Sequence, residues 1–365
     1  MTKVLKKATA VVMALMILVS AVGCSSDKSW AAEKDSAKVP VGVYIFYLYS
    51  AYSQASSKVT DTTKAVLTQK IDNKDASTWI RDTALTNLKS YLAVEAKMKE
   101  MKLTLTAAEK KTATTNTTTA WSSYGTALQG YGVSQTSFDL AYSQYSVKLS
   151  KIFQAMYGKG GKSAVSDADL KTYFEKNFTD FDYFSAALST TDATTGATTD
   201  FTAAQKATLK KEFDGYATKI NSGKMTITEA AAAYKTSSKA TTDPLQSNTV
   251  VISATDAASD FGKLIVGAKY GVAQVSEISS NYVLLLKNDP AKKSTAQLST
   301  DAGRTTVLSQ MKGTEFDALI AAEATKLTGV TYNDAAIADQ KIEKFVEAAS
   351  SAVAATPSTA ATASK

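Results

Sequence analysis

Phe181-Asp-Tyr-Phe-Ser-Ala-Ala-Leu-Ser189 is the stretch at which this 365-residue chain changes character. Upstream of it, apolar residues recur every three or four positions. From Phe181 onward they come in short aromatic and β-branched blocks separated by Thr, Ser, Asn and Gly. The stretch itself reads as a strand, and Thr190 to Asp200 as a loop. Ala203 to Ile220 is predicted as a helix that ends at Asn221-Ser-Gly223, and Thr228 to Tyr234 as a second, short helix. Asp243-Pro244 marks a turn, and Thr249-Val-Val-Ile-Ser253 a short strand. Asp260 to Ala268 is a helix ahead of Tyr270-Gly271. Val272 to Ile278 and Tyr282 to Lys287 form a hairpin around Ser279-Ser-Asn281. The order β-α-α-β-α-β-β describes a compact α+β domain, taken as residues 181–292.

Working back from Phe181, residues 39–180 are helical in pattern. Val41 to Tyr52 is aromatic all round and reads as a buried helix, although its Val, Ile and Tyr also suit a strand. Trp79, Ile80, Ala84, Leu85, Leu88, Tyr91, Leu92 and Met98 mark a second helix, capped by Asp75 or Ser77. Thr106-Ala-Ala-Glu109 is a capping box that opens a third. The middle of that helix, Thr112 to Thr119, is a poor helix former and predicts a weak or broken segment. Ser134 caps a fourth helix that runs to Met156 and ends at Gly158-Lys-Gly-Gly161. Ser166-Asp-Ala-Asp169 caps a short one, Leu170 to Asn177. Beyond the α+β block, residues 293–348 return to helix: Arg304 to Leu327 with a clear apolar stripe, then Ala335 to Ala348. Residues 349–365 are Ala, Ser and Thr with one proline, a disordered composition.

The ends and the composition constrain the function. Lys3, Lys6 and Lys7 precede an apolar run, Ala8 to Val22, which leads into Ala21-Val22-Gly23-Cys24. Residues 1–23 therefore read as a lipoprotein signal peptide, with Cys24 lipidated as the mature N-terminus. Residues 24–38 read as a flexible tether. This places the protein on the outer face of a bacterial cell membrane, held by its lipid. The net charge of +7 falls to about +4 without the three lysines of the leader, too little to argue for nucleic acid. Cys24 is the single cysteine, so no disulfide is expected, and the chain has no histidine. Histidine-dependent hydrolase triads and zinc sites are excluded, and no metal or cofactor is expected. The carboxylate pairs Asp167/Asp169 and Asp180/Asp182 read as a helix cap and a turn.

The leader, the helical run Trp79…Ala84-Leu85…Leu88…Tyr91…Lys97…Leu103-Thr-Leu-Thr106…Glu109, the lead-in Val165-Ser-Asp-Ala-Asp-Leu-Lys-Thr-Tyr-Phe-Glu-Lys-Asn177 and the β-α-α-β-α-β-β block together resemble the SurA/PrsA-type extracytoplasmic foldases. The resemblance implies an α+β protein: a mainly helical chaperone domain with a small parvulin-like domain inserted, and a later helix, Arg304 to Leu327, folded back on the helical part. Parvulin prolyl isomerases usually carry a histidine in the first strand and another in the last. Matching the strands puts Ala186 and Val283 at those places. Phe261 stands where the family often sets an aromatic ring against proline. With both histidines replaced, the resemblance implies weak or lost isomerase activity. The implied partners are unfolded or nascent exported polypeptides. Tyr44, Tyr47, Tyr142 and Tyr145 are candidate client contacts, with core packing as the competing role for most of the tyrosines and for Phe261. The alternatives are an active isomerase, a solute-binding lipoprotein built of two parallel-sheet lobes, and a scaffold lipoprotein. Client identity and oligomeric state are not encoded in any feature of the sequence.

Overall fold

The computed structural model describes residues 29–192 and 194–345. The leader, Cys24 and the 349–365 tail lie outside the described residues. In chain order, β1 (Trp30–Lys34) and β2 (Ala37–Pro40) lead into α1 (Val41–Lys58). A single 3₁₀ turn (Val66–Thr68) and the two-residue strands β3 (Lys70–Ile71) and β4 (Lys74–Asp75) precede α2 (Ala76–Glu100) and α3 (Ala107–Gly130). The short helix α4 (Gln135–Phe138) passes through a π-helical stretch (Asp139–Gln144) into α5 (Tyr145–Tyr157). Next come α6 (Asp167–Asn177), β5 (Thr179–Ala187), the hairpin of β6 (Ser189–Thr191) and β7 (Thr198–Asp200), α7 (Ala203–Asn221) and α8 (Ile227–Ser238). They are followed by β8 (Gln246–Val250), α9 (Ala254–Ala258), α10 (Asp260–Gly267), β9 (Ala273–Ile278) and β10 (Asn281–Asn288). The chain continues through α11 (Pro290–Leu298), α12 (Asp301–Lys326), β11 (Val330–Tyr332) and α13 (Asp334–Ala338). The fold is mainly helical α+β. Its strand ladders are antiparallel, which removes the parallel-sheet lobes that a solute-binding protein would need.

The chain forms two compact units, one of residues up to 156 and from 315, the other of residues 157–314. In the first, α1 is a buried helix as expected. Val43, Tyr44, Leu48, Ala51 and Ala55 are enclosed and join Ile80, Ala84 and Leu88 of α2 in one core. The expected tether is corrected here from Ser29 onward. Residues 30–40 are a hairpin turned at Asp35-Ser36, both with positive φ, and Ala31 and Ala32 are fully buried. The cause is long-range: β1 is the middle strand between β2 and β11, a partner nearly 300 residues away whose pairing leaves no trace in local composition. The threonine-rich helix is also corrected, because α3 is unbroken. Thr112, Thr114 and Thr118 return their hydroxyls to the carbonyls four residues back, which removes their competition with the helix. Thr117 instead turns inward to Asp139 and Ser143. From the far end of the chain, Phe316 meets Phe153 edge-on at 5.3 Å, and Glu323 lies 3.7 Å from Lys97. The expected helix from Ala335 to Ala348 is interrupted after Ala338 and is helical again over 343–345, and its last three residues lie outside the described residues. Ile342 and Phe345 enter the core, where Phe345 packs on Tyr49, Tyr52 and Tyr131.

The second unit extends past the expected 181–292 on both sides, because α6, α11 and the start of α12 are tied together. Ser294 donates to Glu175 at 2.8 Å and Tyr173 to the Gln310 carbonyl at 3.0 Å. The buried Arg304 donates to the Val165 carbonyl at 2.7 Å and pairs with Asp167. Its four-stranded sheet has the order β8-β5-β10-β9. Asp180 and Asp182 do not form the expected turn; both lie in β5. Asp180 is buried and accepts from Thr249 at 2.5 Å and Lys293 at 2.7 Å, while Asp182 accepts from Ser247 and Asn288. These bonds also explain why β8 begins at Gln246, three residues before the apolar run that marks it in the sequence. Its hydroxyls, not its valines, fasten it to β5.

Candidate functional site

Side chains alternate across a strand, so the β5–β10 pairing sorts the second unit into two faces. Ala186 opposes Tyr282, and Val283 opposes Ser185. Phe184, Ala186, Leu188, Tyr282 and Leu284 pack under α7 and α8, against Phe213, Tyr216, Ile227 and Ala230. Phe181, Val283 and Leu285 point the other way, with Ile265, Phe261, Tyr183, Ile252 and Ile278. The candidate cleft trio is therefore corrected. Val283 and Phe261 share a face, and Ala186 is a core residue on the opposite one. Ser185, which is exposed, is the first-strand residue beside Val283.

The two faces differ in cover. Helices of 19 and 12 residues close the α7–α8 side. The other side has only α9 and α10, of five and eight residues. Tyr183 and Phe261 are accordingly half-buried. Their rings meet at 4.9 Å and 60°, and Phe181 meets Phe261 at 6.1 Å and 73°. Two successive caps hold Phe261 in place: Ser253 accepts from the Asp256 amide and Ser259 from the Gly262 amide, each at 3.0 Å. Gly262 is required at this corner, since a Cβ there would sit 1.8 Å from the Asp256 carbonyl oxygen. Opposite Val283 and Leu285 on β9 stand Ser276 and Gln274.

The same region carries an apolar surface. The exposed large hydrophobic residues among those described are Tyr124, Tyr142, Val250, Val251, Val266, Tyr270 and Val272, and the last five come from one continuous stretch around α9 and α10. Lys287 lies among them. It donates to the Val266 carbonyl at 3.3 Å and sits 5.2 Å above the Tyr270 ring, and burial lowers its pKa. Among the described residues no group of three His, Cys, Asp or Glu side chains comes together to hold a metal.

In the first unit, Tyr44 is fully enclosed and Tyr47 is buried, donating to the Ala141 carbonyl at 3.2 Å. Burial raises both phenols, with Arg81 opposing the rise at Tyr44. These two are core residues and not client contacts, which corrects the sequence reading. Tyr145 is half-buried and stacks on Tyr91. Tyr142 alone of the four is open, 48% exposed and stacked on Phe138 at 5.0 Å, with Phe46 at 6.3 Å. Two clefts of about 480 and 610 Å³ flank Leu103. They are lined by the ion pairs Lys148–Glu95 at 2.5 Å and Lys151–Glu109 at 2.7 Å. Sequence reasoning missed Tyr183 and Ser185. The signal was the pattern within Phe181 to Ser189, where the even positions Phe184, Ala186 and Leu188 are the apolar set of the second half and so belong to the better-covered face.

No family model and no curated protein matches the chain. A solved structure does. The crystal structure of the foldase protein PrsA from Lactococcus lactis, at 3.10 Å, aligns with 87% of this chain and 99% of its own, at 15% identity and a TM-score of 0.34.

Proposed function

We propose that the protein is a membrane-anchored extracytoplasmic chaperone that holds unfolded exported polypeptides. The observation that carries this reading is the half-covered Tyr183–Phe261 face, in a unit that also leaves Val250, Val251, Val266, Tyr270 and Val272 exposed. Exposed apolar side chains suit contact with other polypeptides, and a shallow aromatic face takes varied sequences by area without demanding one shape. The anchor rests on the leader and Cys24. No described helix is long and apolar enough to cross a membrane.

Prolyl isomerase activity is weak or absent in this reading. The uncatalysed rotation barrier is ~18–20 kcal/mol. A cleft can lower it by desolvation and hydrogen bonding alone. Here the face offers Phe261, Tyr183 and Val283, with Ser185, Ser276 and Gln274 as its polar groups. The second reading, an active isomerase, is favoured by Phe261 itself, a half-exposed ring held by two caps.

Full-length protein in lipid nanodiscs, mixed one to one with three unrelated chemically denatured proteins, should slow the aggregation of each. No effect on any of them refutes the chaperone reading. In a proline-limited refolding assay, acceleration at a hundredth of the client concentration would establish the second reading instead.

A further inference from the structure

The sheet of the second unit has two edges, and they are treated differently. On β9, Asn221 of α7 covers the outward backbone of Ala273. Its side-chain oxygen accepts from the Ala273 amide at 2.7 Å, and its amide nitrogen donates to the Ala273 carbonyl at 2.9 Å. One side chain thus satisfies both outward backbone groups of Ala273, the first residue of β9. The opposite edge, β8, has no such cover. Among the described residues, Gln246 to Ile252 make no backbone–backbone hydrogen bond beyond the ladder to β5. The devices that usually blunt an edge are missing as well. Gln246-Ser-Asn-Thr-Val250 contains no lysine, proline or bulge. The strand is nevertheless held firmly in extended form, because Ser247 and Thr249 hydrogen-bond to Asp182 and Asp180, and Lys293 donates to both Thr249 and Asp180.

We propose that β8 captures an extended segment of the unfolded client as a fifth strand of this sheet. The inference rests on the chaperone reading and specifies how the client is held. Strand addition supplies main-chain hydrogen bonds that every residue but proline can make, so the hold tolerates many sequences. The exposed Val250 and Val251 at the end of the edge add a preference for apolar residues there. A second copy of this chain is the poorer occupant. Five edge residues per partner fall well short of the roughly 20–30 residues a side that a stable protein interface uses. A transient hold on an unfolded segment needs no more than this edge offers.

The test is amide hydrogen exchange on full-length protein in nanodiscs, with and without saturating reduced, carboxymethylated α-lactalbumin, a permanently unfolded probe. The expected result is at least tenfold slower exchange at alternate residues of Gln246–Val250, with Ala273 unchanged. In the same assay Asn248→Lys and Val250→Lys should weaken probe binding threefold or more. Binding with protection elsewhere and none at β8 overturns the inference and leaves the chaperone reading intact; absence of probe binding overturns both. Protection of β8 without probe also overturns it. If that protection rises with protein concentration, a second copy occupies the edge; if it disappears when residues 346–365 are removed, the chain's own tail does.

Discussion

Gly262→Ala tests the corner that sets Phe261 against the open face. The added Cβ would lie 1.8 Å from the Asp256 carbonyl oxygen, 2.6 Å from its carbon and 2.9 Å from the Ala257 Cα. All three are backbone atoms, so no side-chain rotation relieves the clash. The end of α9, a surface helix with no buried residue, must retreat from α10 by about 1 Å or more. Overpacking of this kind costs roughly 1–3 kcal/mol. The retreat also strains the Ser259 cap, which receives the Gly262 amide and is worth about 1 kcal/mol. The expected destabilisation is therefore about 2–4 kcal/mol, or a fall in melting temperature of about 4–16 °C for a body of this size. Gly267→Ala is the internal control. It lies in the same helix, its new methyl group would meet nothing within 4 Å, and the change should be neutral or stabilising by up to about 1 kcal/mol. Thermal melts followed by circular dichroism compare the two. Equal melting temperatures would mean that α9 and α10 do not meet at Gly262, and the account of how Phe261 is held would fail with them.

Phe261→Ala should weaken client holding at little cost in stability, whereas Phe213→Ala, in the enclosed core of the other face, should cost about 3–5 kcal/mol in a denaturant titration. The reverse ranking would show the faces to be exchanged. Asp180→Ala leaves Thr249 and the part-exposed Lys293 without their shared acceptor and should cost about 1–3 kcal/mol, with Asp180→Asn milder; a surface-like loss under about 0.5 kcal/mol would contradict the burial of Asp180. Burial, reinforced by the hydrogen bond to Glu212, pushes the Tyr216 phenol up to about 12. An unfolded tyrosine titrates near 10. The native chain keeps a proton that the unfolded chain has lost, so this contribution is complete below pH 10 and disappears as pH rises through 12. Melts at pH 9, 10 and 11 should fall less steeply in Tyr216→Phe, and an unchanged slope would disprove the assignment. Cys24→Ser should release the protein from membranes, read by fractionation; retention at the parent level would refute the lipid anchor.

Much of the fold was legible because it is locally encoded. Thr106, Ser134 and Ser166 each accept from an amide three residues on, as their spacing indicated, and Ser279-Ser280 turns the β9–β10 hairpin with two positive φ angles. The errors share a different origin. β1 exists through β11, and β8 is fastened by the carboxylates of β5. The helix from Asp301 joins α6 through Arg304. Each depends on a partner distant in sequence, so window composition described only the unpartnered segment, and an unpartnered Ser-Lys-Ala-Asp stretch reads as tether.

The site was legible in kind but not in register, and the difference matters for function. Hydrophobicity identified β5 and β10 correctly, yet a strand has two faces, and a displacement of one residue exchanges them. Ala186 in place of Ser185 is such a displacement. It moves a candidate cleft residue from an open face to a closed core. With the register read from the pairing, the face around Phe261 contains Tyr183, Ser185, Val283 and Ser276, aromatic and hydroxyl groups fit for touching a peptide. The residues of the first strand that lie on this open face are Tyr183 and Ser185. A Ser185→His variant places an imidazole on the open face, whereas Ala186→His forces one into the Phe184–Phe213 core, where it is expected to unfold the unit before it can catalyse anything.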